Sequence, residues 1–395
     1  MSVAVAPERR EHTGARLLAS PDRTPLPRRS RAQLFAEIEA SGLTGRGGAA
    51  FPTARKLAAV ARARRRAVVV NGVEGEPASW KDKVLLAQNP HLVIDGAMVA
   101  ARIVGAREVT FAVGRANRTM WKRLEQALGE RSDGIDVYLE TVPERFVAGE
   151  ESALVNLLNG GPAKPTMEKP YERGMLVQNV ETLANVALIA GHGASWFRRR
   201  GTADEPGTAL VTVLGAVRNP GVAEVELGTT LRDVLQRFGG LTAFPYALLV
   251  GGYFGMWVRA HDVLDSPLTN AALAPLGASL GARTIAVLPQ DACGLAESSR
   301  VLRYLANESA GQCGPCIFGV AALADAFERI DADRIGRLGP LVAGRGACAH
   351  PTGAARFAAS AVDVFADEIA LHRAGRCSGA AHPPVLPVGA SREWR

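Results

Sequence analysis

Between residues 67 and 141, short apolar runs rich in β-branched residues alternate with longer segments of helical periodicity. A strand-like run at 67–70 is followed by a helix candidate at 90–104, a strand at 108–113, a further helix, and a third strand at 135–141. Parallel strands need a long crossover between them, so this alternation predicts a parallel sheet covered by helices. Ligands of such sheets bind beyond the carboxyl ends of the strands.

Two further patterns follow along the chain. From residue 208, alternating apolar residues, a turn at 219–221 and a short helix predict a small β-grasp domain. From about residue 291 the sequence is rich in alanine and helical in period, which predicts a helical bundle. We therefore expect a flexible tail, an α/β domain, a β-grasp domain, a helical domain and a second flexible tail, at residues 1–30, 31–205, 206–290, 291–375 and 376–395.

The net charge of +7 arises largely from arginines in the first 35 residues and at 62–66. No aromatic residues are interleaved there, so the sequence gives no stacking platform for nucleic acid. No apolar run is long enough to span a membrane, and the start has no signal-peptide layout, which predicts a cytoplasmic protein. The five cysteines form no secreted framework, and clustered thiols in a reducing compartment favour metal over disulfides.

The densest glycine segment is the loop at residues 42–56, which leads into a helix that carries Lys56. Such a loop exposes backbone N–H groups at a helix N-terminus, where they favour a phosphate that a lysine can neutralise. A glycine-rich connector with a surface lysine explains this segment equally well.

Polar residues then gather at expected ends of strands and starts of helices. Residues 71–82 include Asn71, Glu74 and Glu76, which can hold ribose or ribityl hydroxyls beyond a strand or can cap the next helix. Segments 146–154 and 178–185 have the same character, and each of them alone could be a helix cap.

Three cysteines form a further pattern. Cys313 and Cys316 open an apolar helix with C-x-x-C spacing, and Cys348 follows some thirty residues later. This is a common way for a helical hairpin to gather thiolates around one metal centre.

Taken together and in this order, the segments resemble the flavoprotein (51 kDa, or F) subunit of respiratory NADH dehydrogenase and its relatives in NAD-linked hydrogenases and formate dehydrogenases. The likeness spans residues 42–371. The family pattern is G-R-G-G-A-G-F-P-T-G-x-K, N-A-D-E-G-E-P, Y-x-C-G-E-E-T-A-L, N-N-V-E-T-L, a β-grasp domain, and E-S-C-G-x-C-x-P-C-R before a final cysteine. The resemblance implies an α/β protein with a Rossmann-like FMN-binding domain, an SLBB-type, ubiquitin-like β-grasp domain, and a helical bundle for a [4Fe-4S] cluster.

The resemblance also implies roles by position. The residues expected to bind FMN are Gly45, Arg46, Gly47, Gly48, Lys56, Asn71, Glu74, Gly149, Glu150, Asn179 and Thr182. Phe51, Glu76 and Glu151 would face the NADH nucleotide. Cys313, Cys316 and Cys348 would hold the iron-sulfur cluster. No side chain is expected to act as a general acid or base, because the cofactors carry the chemistry.

The sequence departs from the family at several cleft positions. Val73 replaces an aspartate, and Phe146 replaces a tyrosine and so lacks the hydroxyl. Gln178 replaces an asparagine, and Ala50 and Ala54 replace glycines. FMN binding is therefore better supported than NADH binding.

The cluster segment also departs from the family, because Ala310 stands in place of the first cysteine and Ile317 in place of an arginine. A [4Fe-4S] cluster would then need a non-cysteine fourth ligand such as water, a partner group or His350, or would recruit Cys293. A [3Fe-4S] form is a further alternative. A degenerate bundle in which the thiols are merely small buried residues is another.

The resemblance implies an electron-entry subunit that passes electrons from NADH through FMN to the cluster, and on to a ferredoxin-like or thioredoxin-like iron-sulfur protein or a quinone-linked acceptor. Such a subunit would be cytoplasmic, or peripheral at the inner face of the membrane through its partners. Two alternatives remain open: reduced ferredoxin as the electron donor, and a non-catalytic scaffold that has lost both cofactors. The retained Lys56, Glu74, Glu150 and Asn179 argue against the scaffold.

Overall fold

A computed structural model describes residues 15–19, 28–379, 381–389 and 393–394. The helices are α1 Arg31–Ser41, α2 Thr53–Ala61, α3 Lys81–Gln88, α4 Pro90–Val104, α5 Arg118–Gly129, α6 Glu151–Leu158, α7 Val180–His192, α8 Ala194–Phe197, α9 Leu231–Arg237, α10 Ala260–Val263, α11 Asn270–Leu273, α12 Gly294–Asn307, α13 Ala321–Glu328, α14 Ala332–Val342, α15 His350–Val364 and α16 Ala366–Arg373. The strands are β1 Ala67–Gly72, β2 Glu108–Gly114, β3 Asp136–Val142, β4 Met175–Asn179, β5 Thr208–Gly215, β6 Gly221–Glu226, β7 Pro245–Val250, β8 Met256–Arg259 and β9 Thr284–Pro289.

The first sheet has the order β3-β2-β1-β4, and all its strands are parallel, which confirms the predicted α/β domain. The order reverses between β1 and β4, since β2 and β3 lie on one side of β1 and β4 on the other. In this register Asn71 at the end of β1 pairs with Asn179 at the end of β4. Open α/β sheets bind ligands at such a switch point, so the topology places a site here.

Helices α4 and α7 cover one face of this sheet and make the main apolar core of the domain. They touch closely because Gly96 on α4 has no side chain. A Cβ atom at Gly96 would lie 1.8 Å from the Leu183 carbonyl oxygen on α7. The opposite face carries a smaller core built from residues such as Val69, Val177 and Leu154 of α6.

The second sheet is mixed and has the order β6-β5-β9-β7-β8, with β5 and β9 parallel and the other pairs antiparallel. One face packs against α9 and its neighbours. The other face carries Leu249 and Leu288 into the core of the helical domain. Both faces of the predicted β-grasp sheet are therefore buried, one by α9 and its neighbours and the other by the bundle.

The C-terminal domain consists of α12 to α16, with a π-helical turn at Pro315–Val320 before α13. Its helices pack on one another and on β8. Trp257 of β8 is buried in this seam, where its indole N–H donates to the Ser298 hydroxyl at 2.9 Å. The bundle is thereby fixed to the β-grasp sheet.

Part of each predicted tail lies outside the described residues, including residues 1–14 and 20–27. The parts that are described are packed. Leu17 is fully buried, and its N–H donates to Glu224 at 2.8 Å. Leu386 is also buried, and its N–H donates to Glu297 at 2.8 Å. These short stretches differ from the flexible tails that we predict, because each inserts an apolar side chain and supplies donors to a buried carboxylate.

Among the described residues, no single helix is both long and apolar enough to cross a membrane. One pair, α3 and α4, meets those criteria only jointly, and the two helices bend by 97° where they join.

Candidate functional site

A cleft of about 530 Å³ opens at the carboxyl ends of β1 and β4. It brings together nearly all the predicted cofactor and nucleotide residues. These are Gly45, Gly47, Gly48, Phe51, Lys56, Asn71, Glu74, Glu76, Gly149, Glu150, Glu151, Asn179 and Thr182. Cys348 and His350 also line it, whereas Cys313, Cys316 and Arg46 do not.

Arg46 has a different place from the one that we predict. Its guanidinium is buried and donates to the Pro206 carbonyl at 3.1 Å, away from the cleft. Its backbone holds the glycine loop, because its N–H donates to the Thr182 hydroxyl at 2.8 Å and its carbonyl accepts from Arg283 at 2.7 Å. Arg46 thus fixes the shape of the loop from behind.

Lys56 lies on α2 with its ammonium group buried. It pairs with the Glu151 carboxylate and donates to the Val177 carbonyl at 3.1 Å. A predicted phosphate-binding residue and a predicted nucleotide-facing residue are therefore in direct contact in the cleft. An incoming phosphate would compete with Glu151 for the same ammonium group.

Three predicted site residues also cap helices. Helix capping and a place in the predicted ligand site are therefore compatible for these residues. Glu74 accepts from the N–H groups of Asp82 at 3.3 Å and Lys83 at 3.2 Å, in the first turn of α3. Glu150 is the N-cap of α6, and Asn179 is the N-cap of α7. Burial raises the pKa of Glu150. Capping fixes each of these side chains at the edge of the cleft.

Glu76 joins the α/β domain to the β-grasp domain, since its carboxylate accepts from the Tyr253 N–H at 3.2 Å. Burial, with a smaller contribution from Glu74, raises the pKa of Glu76 to about 8. Glu76 is therefore mostly protonated at neutral pH and adds little negative charge to the cleft.

The raised pKa of Glu76 predicts a pH effect on stability. The folded state holds this proton more tightly than the unfolded chain, so Glu76 lowers the free energy of unfolding progressively as pH rises from about 4.5 to about 8. Glu76→Gln removes this loss. We expect the free energy of unfolding of the variant, relative to that of the wild type, to rise by about 1–2 kcal/mol between pH 5 and pH 8.5. This value is reduced for partial solvent screening. Urea denaturation at several pH values measures the difference, and a constant difference would contradict the assignment.

A buried ion network borders the cleft, which Lys81 and Asp82 help to line, and the sequence analysis assigned it no role. Lys81 is 3% exposed and contacts Asp82 at 2.6 Å and the fully buried Glu181 at 3.0 Å. Glu181 also accepts from the Leu210 N–H of β5 at 3.0 Å. Burial alone would raise the pKa of Glu181, but Lys81, Arg283 and Arg46 outweigh it and lower the pKa.

Sequence reasoning also missed the wall that the β-grasp and helical domains contribute. That wall is made by Gly251, Phe254, Ser279, Gly281, Ala282 and Arg356. The double glycine at 251–252 was a local signal that another segment packs closely against this backbone. A Cβ atom at Gly252 would lie 2.2 Å from Glu76 Oε1.

Two of the predicted cluster cysteines, Cys313 and Cys316, lie at one turn of chain, and Cys348 lies just before α15. Cys316 is buried in the π-helical turn, and its N–H donates to the Cys313 carbonyl at 2.9 Å. Burial, and then the neighbouring Cys316, Glu150 and Cys313, raise the pKa of Cys348 to about 12. The three thiols therefore share one electrostatic environment. Single π turns of this kind are frequent at functional sites.

His350, a candidate fourth ligand, is almost completely buried at the start of α15. Its Nε2 atom lies 2.9 Å from the Leu305 carbonyl and must carry the proton to donate there. Burial lowers the pKa of His350 to about 4, so the ring is neutral. Its Nδ1 atom is then an acceptor, and it has no hydrogen-bond partner among the described residues.

Cys293, the other candidate from the bundle, lies elsewhere. Its Sγ atom is 3.4 Å from His372 Nε2, and its thiol neighbour is Cys377. The structure therefore groups Cys293 with the end of α16.

Ala50 has a φ of 50°, in the left-handed region that favours glycine. This is the loop position where the resemblance places a glycine. We expect Ala50→Gly to raise the free energy of unfolding by about 1 kcal/mol, because it removes the clash of Cβ with the backbone. The matched control is Ala54→Gly in α2, which should lower it by a similar amount. Thermal denaturation measures both, and a loss of stability in Ala50→Gly would contradict the account.

Three family models match separate parts of the chain. Residues 38–188 match the Nuo51 FMN-binding domain, 210–252 the SLBB domain, and 296–372 the NADH-ubiquinone oxidoreductase-F iron-sulfur binding region. The fold and the site together define a class of protein: an oxidoreductase subunit with a flavin-binding domain and an iron-sulfur-binding region.

Relatives identify the family. The F subunit of the NADH-quinone oxidoreductase of Mycobacterium tuberculosis (strain ATCC 25618 / H37Rv) is 30% identical over 373 residues, which cover 86% of this chain and 84% of that protein. The NADP-reducing hydrogenase subunit HndC of Solidesulfovibrio fructosivorans is 30% identical, covering 85% and 75%. The chain therefore belongs to the family of NADH-quinone oxidoreductase F subunits.

A solved structure agrees with this assignment. A chain of an NAD+-reducing [NiFe]-hydrogenase in the H2-reduced state superposes with a TM-score of 0.79 at 29% identity. The match covers 89% of this chain, which spans 64% of the hydrogenase chain.

Proposed function

We propose that this chain is the electron-entry subunit of a multi-subunit redox complex, in which it oxidises NADH through a bound FMN and an iron-sulfur cluster. One observation carries the proposal: Cys348 of the predicted cluster set lines the same cleft as the predicted flavin residues Asn71 and Glu150. A flavin held there and a cluster held by the bundle would be neighbours. When bound, FMN would supply the exchange between a two-electron donor and a one-electron carrier.

The residues present fit FMN. The volume of the cleft lies in the range usual for cofactor sites. Lys56 and the N-terminus of α2 would hold the phosphate, with the glycine loop 45–48 leaving room for it. The helix-capping carboxylates Glu74 and Glu150, with Asn71 and Asn179, would bind the hydroxyl groups and the polar ring atoms of the flavin. Phe51, Glu76 and Glu151 would face the nucleotide.

The cysteines fit a cluster with one non-cysteine ligand. Cys313, Cys316 and Cys348 would be three ligands, and the unpartnered Nδ1 of His350 is the imidazole atom suited to be the fourth. The backbone of His350 acts to lower the pKa of Cys348, against the larger opposing effect of burial.

The surface beside the cluster residues supports a protein acceptor. Ile317 and Phe318, which directly follow Cys316, are 49% and 74% exposed. Apolar side chains exposed together mark interaction surfaces. An iron-sulfur protein of the ferredoxin or thioredoxin type, docked there, would receive the electrons.

The phosphate role of Lys56 predicts a contrast between two flavins. Lys56→Met should weaken FMN binding about tenfold or more, because one charge-assisted contact to a phosphate is lost. Riboflavin binding should stay unchanged, since riboflavin has no phosphate. Quenching of flavin fluorescence measures both affinities, with the exposed Lys169→Met as the matched control. An equal loss for both flavins would show that Lys56 supports the fold only.

The activity itself is tested by NADH-dependent reduction of ferricyanide with the flavin-reconstituted chain. We expect turnover with NADH and its loss when FMN is omitted. Flavin binding without any NADH oxidation, but with reduction by a reduced ferredoxin, would contradict the assignment of NADH as the donor.

A further inference from the structure

Four side chains that could ligate a metal ion lie close together in the helical bundle, away from the cleft. Cys293 precedes α12, Glu368 and His372 lie one turn apart on α16, and Cys377 follows that helix. One ligand atom from each lies within 4.8 Å of the other three. None of the four lines the cleft.

Two of these distances are close to those of a tetrahedral zinc site. Bonds of about 2.0–2.3 Å from Zn²⁺ to N, O and S ligands put the ligand atoms about 3.3–3.8 Å apart in a tetrahedron. Cys293 Sγ lies 3.4 Å from His372 Nε2, and His372 Nε2 lies 3.2 Å from Glu368 Oε1. The i, i+4 spacing puts Glu368 and His372 on one face of α16.

Neighbouring groups hold these four candidate ligand side chains in place. The Ser378 N–H and hydroxyl donate to the two oxygens of Glu368 at 3.0 and 2.6 Å, and the Ala296 N–H donates to Cys293 Sγ at 3.3 Å. Gly379 packs directly on Cys293, where a Cβ atom would lie 2.1 Å from the Cys293 amide nitrogen. Such outer contacts orient ligands in metal sites.

We propose that Cys293, Glu368, His372 and Cys377 form a structural site for a zinc-type divalent cation, separate from the predicted iron-sulfur cluster. Two thiolates, one imidazole and one carboxylate are a borderline-soft set that suits Zn²⁺. The ion would tie the chain after α16 to the start of α12. That chain goes on to Leu386, which packs beside α12.

The test uses the full chain with Cys313→Ser and Cys316→Ser, so that the cluster cysteines cannot hold the probe. Chelator-treated, reduced protein is titrated with Co²⁺ alone. We expect one Co²⁺ per chain, with thiolate-to-cobalt charge-transfer bands and ligand-field bands of tetrahedral intensity. Zn²⁺ should displace the cobalt and raise the melting temperature.

Variants assign the ligands. His372→Gln and Cys377→Ser should each weaken Co²⁺ binding by about 100-fold or more, and Ser378→Ala by about tenfold. Both ligand residues are partly exposed, and circular dichroism checks that each variant folds. Absence of thiolate-to-cobalt bands in the folded parent would overturn the proposal. A Cys293–Cys377 disulfide that persists under reductant would do the same.

Discussion

Replacing Cys316 by serine is expected to abolish the iron-sulfur cluster while leaving FMN bound. Cys316 is a buried thiol in the π-helical turn, with Cys313 and Cys348 as its neighbours. The predicted set has only three cysteines, so the loss of one leaves two thiolates, which are too few to hold a cubane cluster. Iron and acid-labile sulfide in the anaerobically reconstituted variant should fall to background, with the flavin content of the wild type.

The control is Cys377→Ser, which removes a half-buried thiol at the other site of the bundle. We expect its iron and sulfide to equal those of the wild type. Full iron and sulfide in Cys316→Ser would contradict the assignment of this cysteine. Equal losses of iron and sulfide in both variants would show that cluster binding depends on the folding of the bundle as a whole.

Lys81→Met is expected to lower the free energy of unfolding by about 3 kcal/mol. It leaves the carboxylates of Asp82 and Glu181 without their shared ammonium group in a buried seam, and breaking such a pair costs about 3–5 kcal/mol. The low end applies because Arg283 and Arg46 remain near Glu181. Urea denaturation monitored by circular dichroism measures the change.

Lys83→Met is the matched control for this change. Lys83 lies two residues further on and 3.9 Å from Glu74, but its side chain is 32% exposed. Exposed pairs contribute less than about 1 kcal/mol, so the control should change little. Similar losses in the two variants would show that burial of the Lys81 network has no special energetic role.

The sequence predicted the parallel sheet because β1, β2 and β3 carry clear apolar runs separated by helical segments. It did not identify β4, whose apolar part is only Met175 to Val177 and which is recognisable mainly by pairing with β1. Pairing partners depend on the whole domain, so short strands of this kind are hard to detect locally.

The motif residues were predictable because each glycine or carboxylate stands at a strand end or a helix start. The hydrogen-bond partners of these residues were harder to predict. Arg46 turned away from the cleft because Thr182, Pro206 and Arg283 bind it, and these contacts join residues more than a hundred positions apart. The second thiol site escaped notice because Cys293 and Cys377 are 84 residues apart and have no shared spacing motif.

The most direct test of the central claim is a count of FMN, iron and sulfide in the anaerobically purified chain, with the visible spectrum recorded before and after NADH is added. The account predicts one FMN per chain, iron and sulfide in cluster proportion, and bleaching of the flavin band by NADH. A folded chain that stays colourless after reconstitution with FMN, iron and sulfide would contradict it and favour the scaffold.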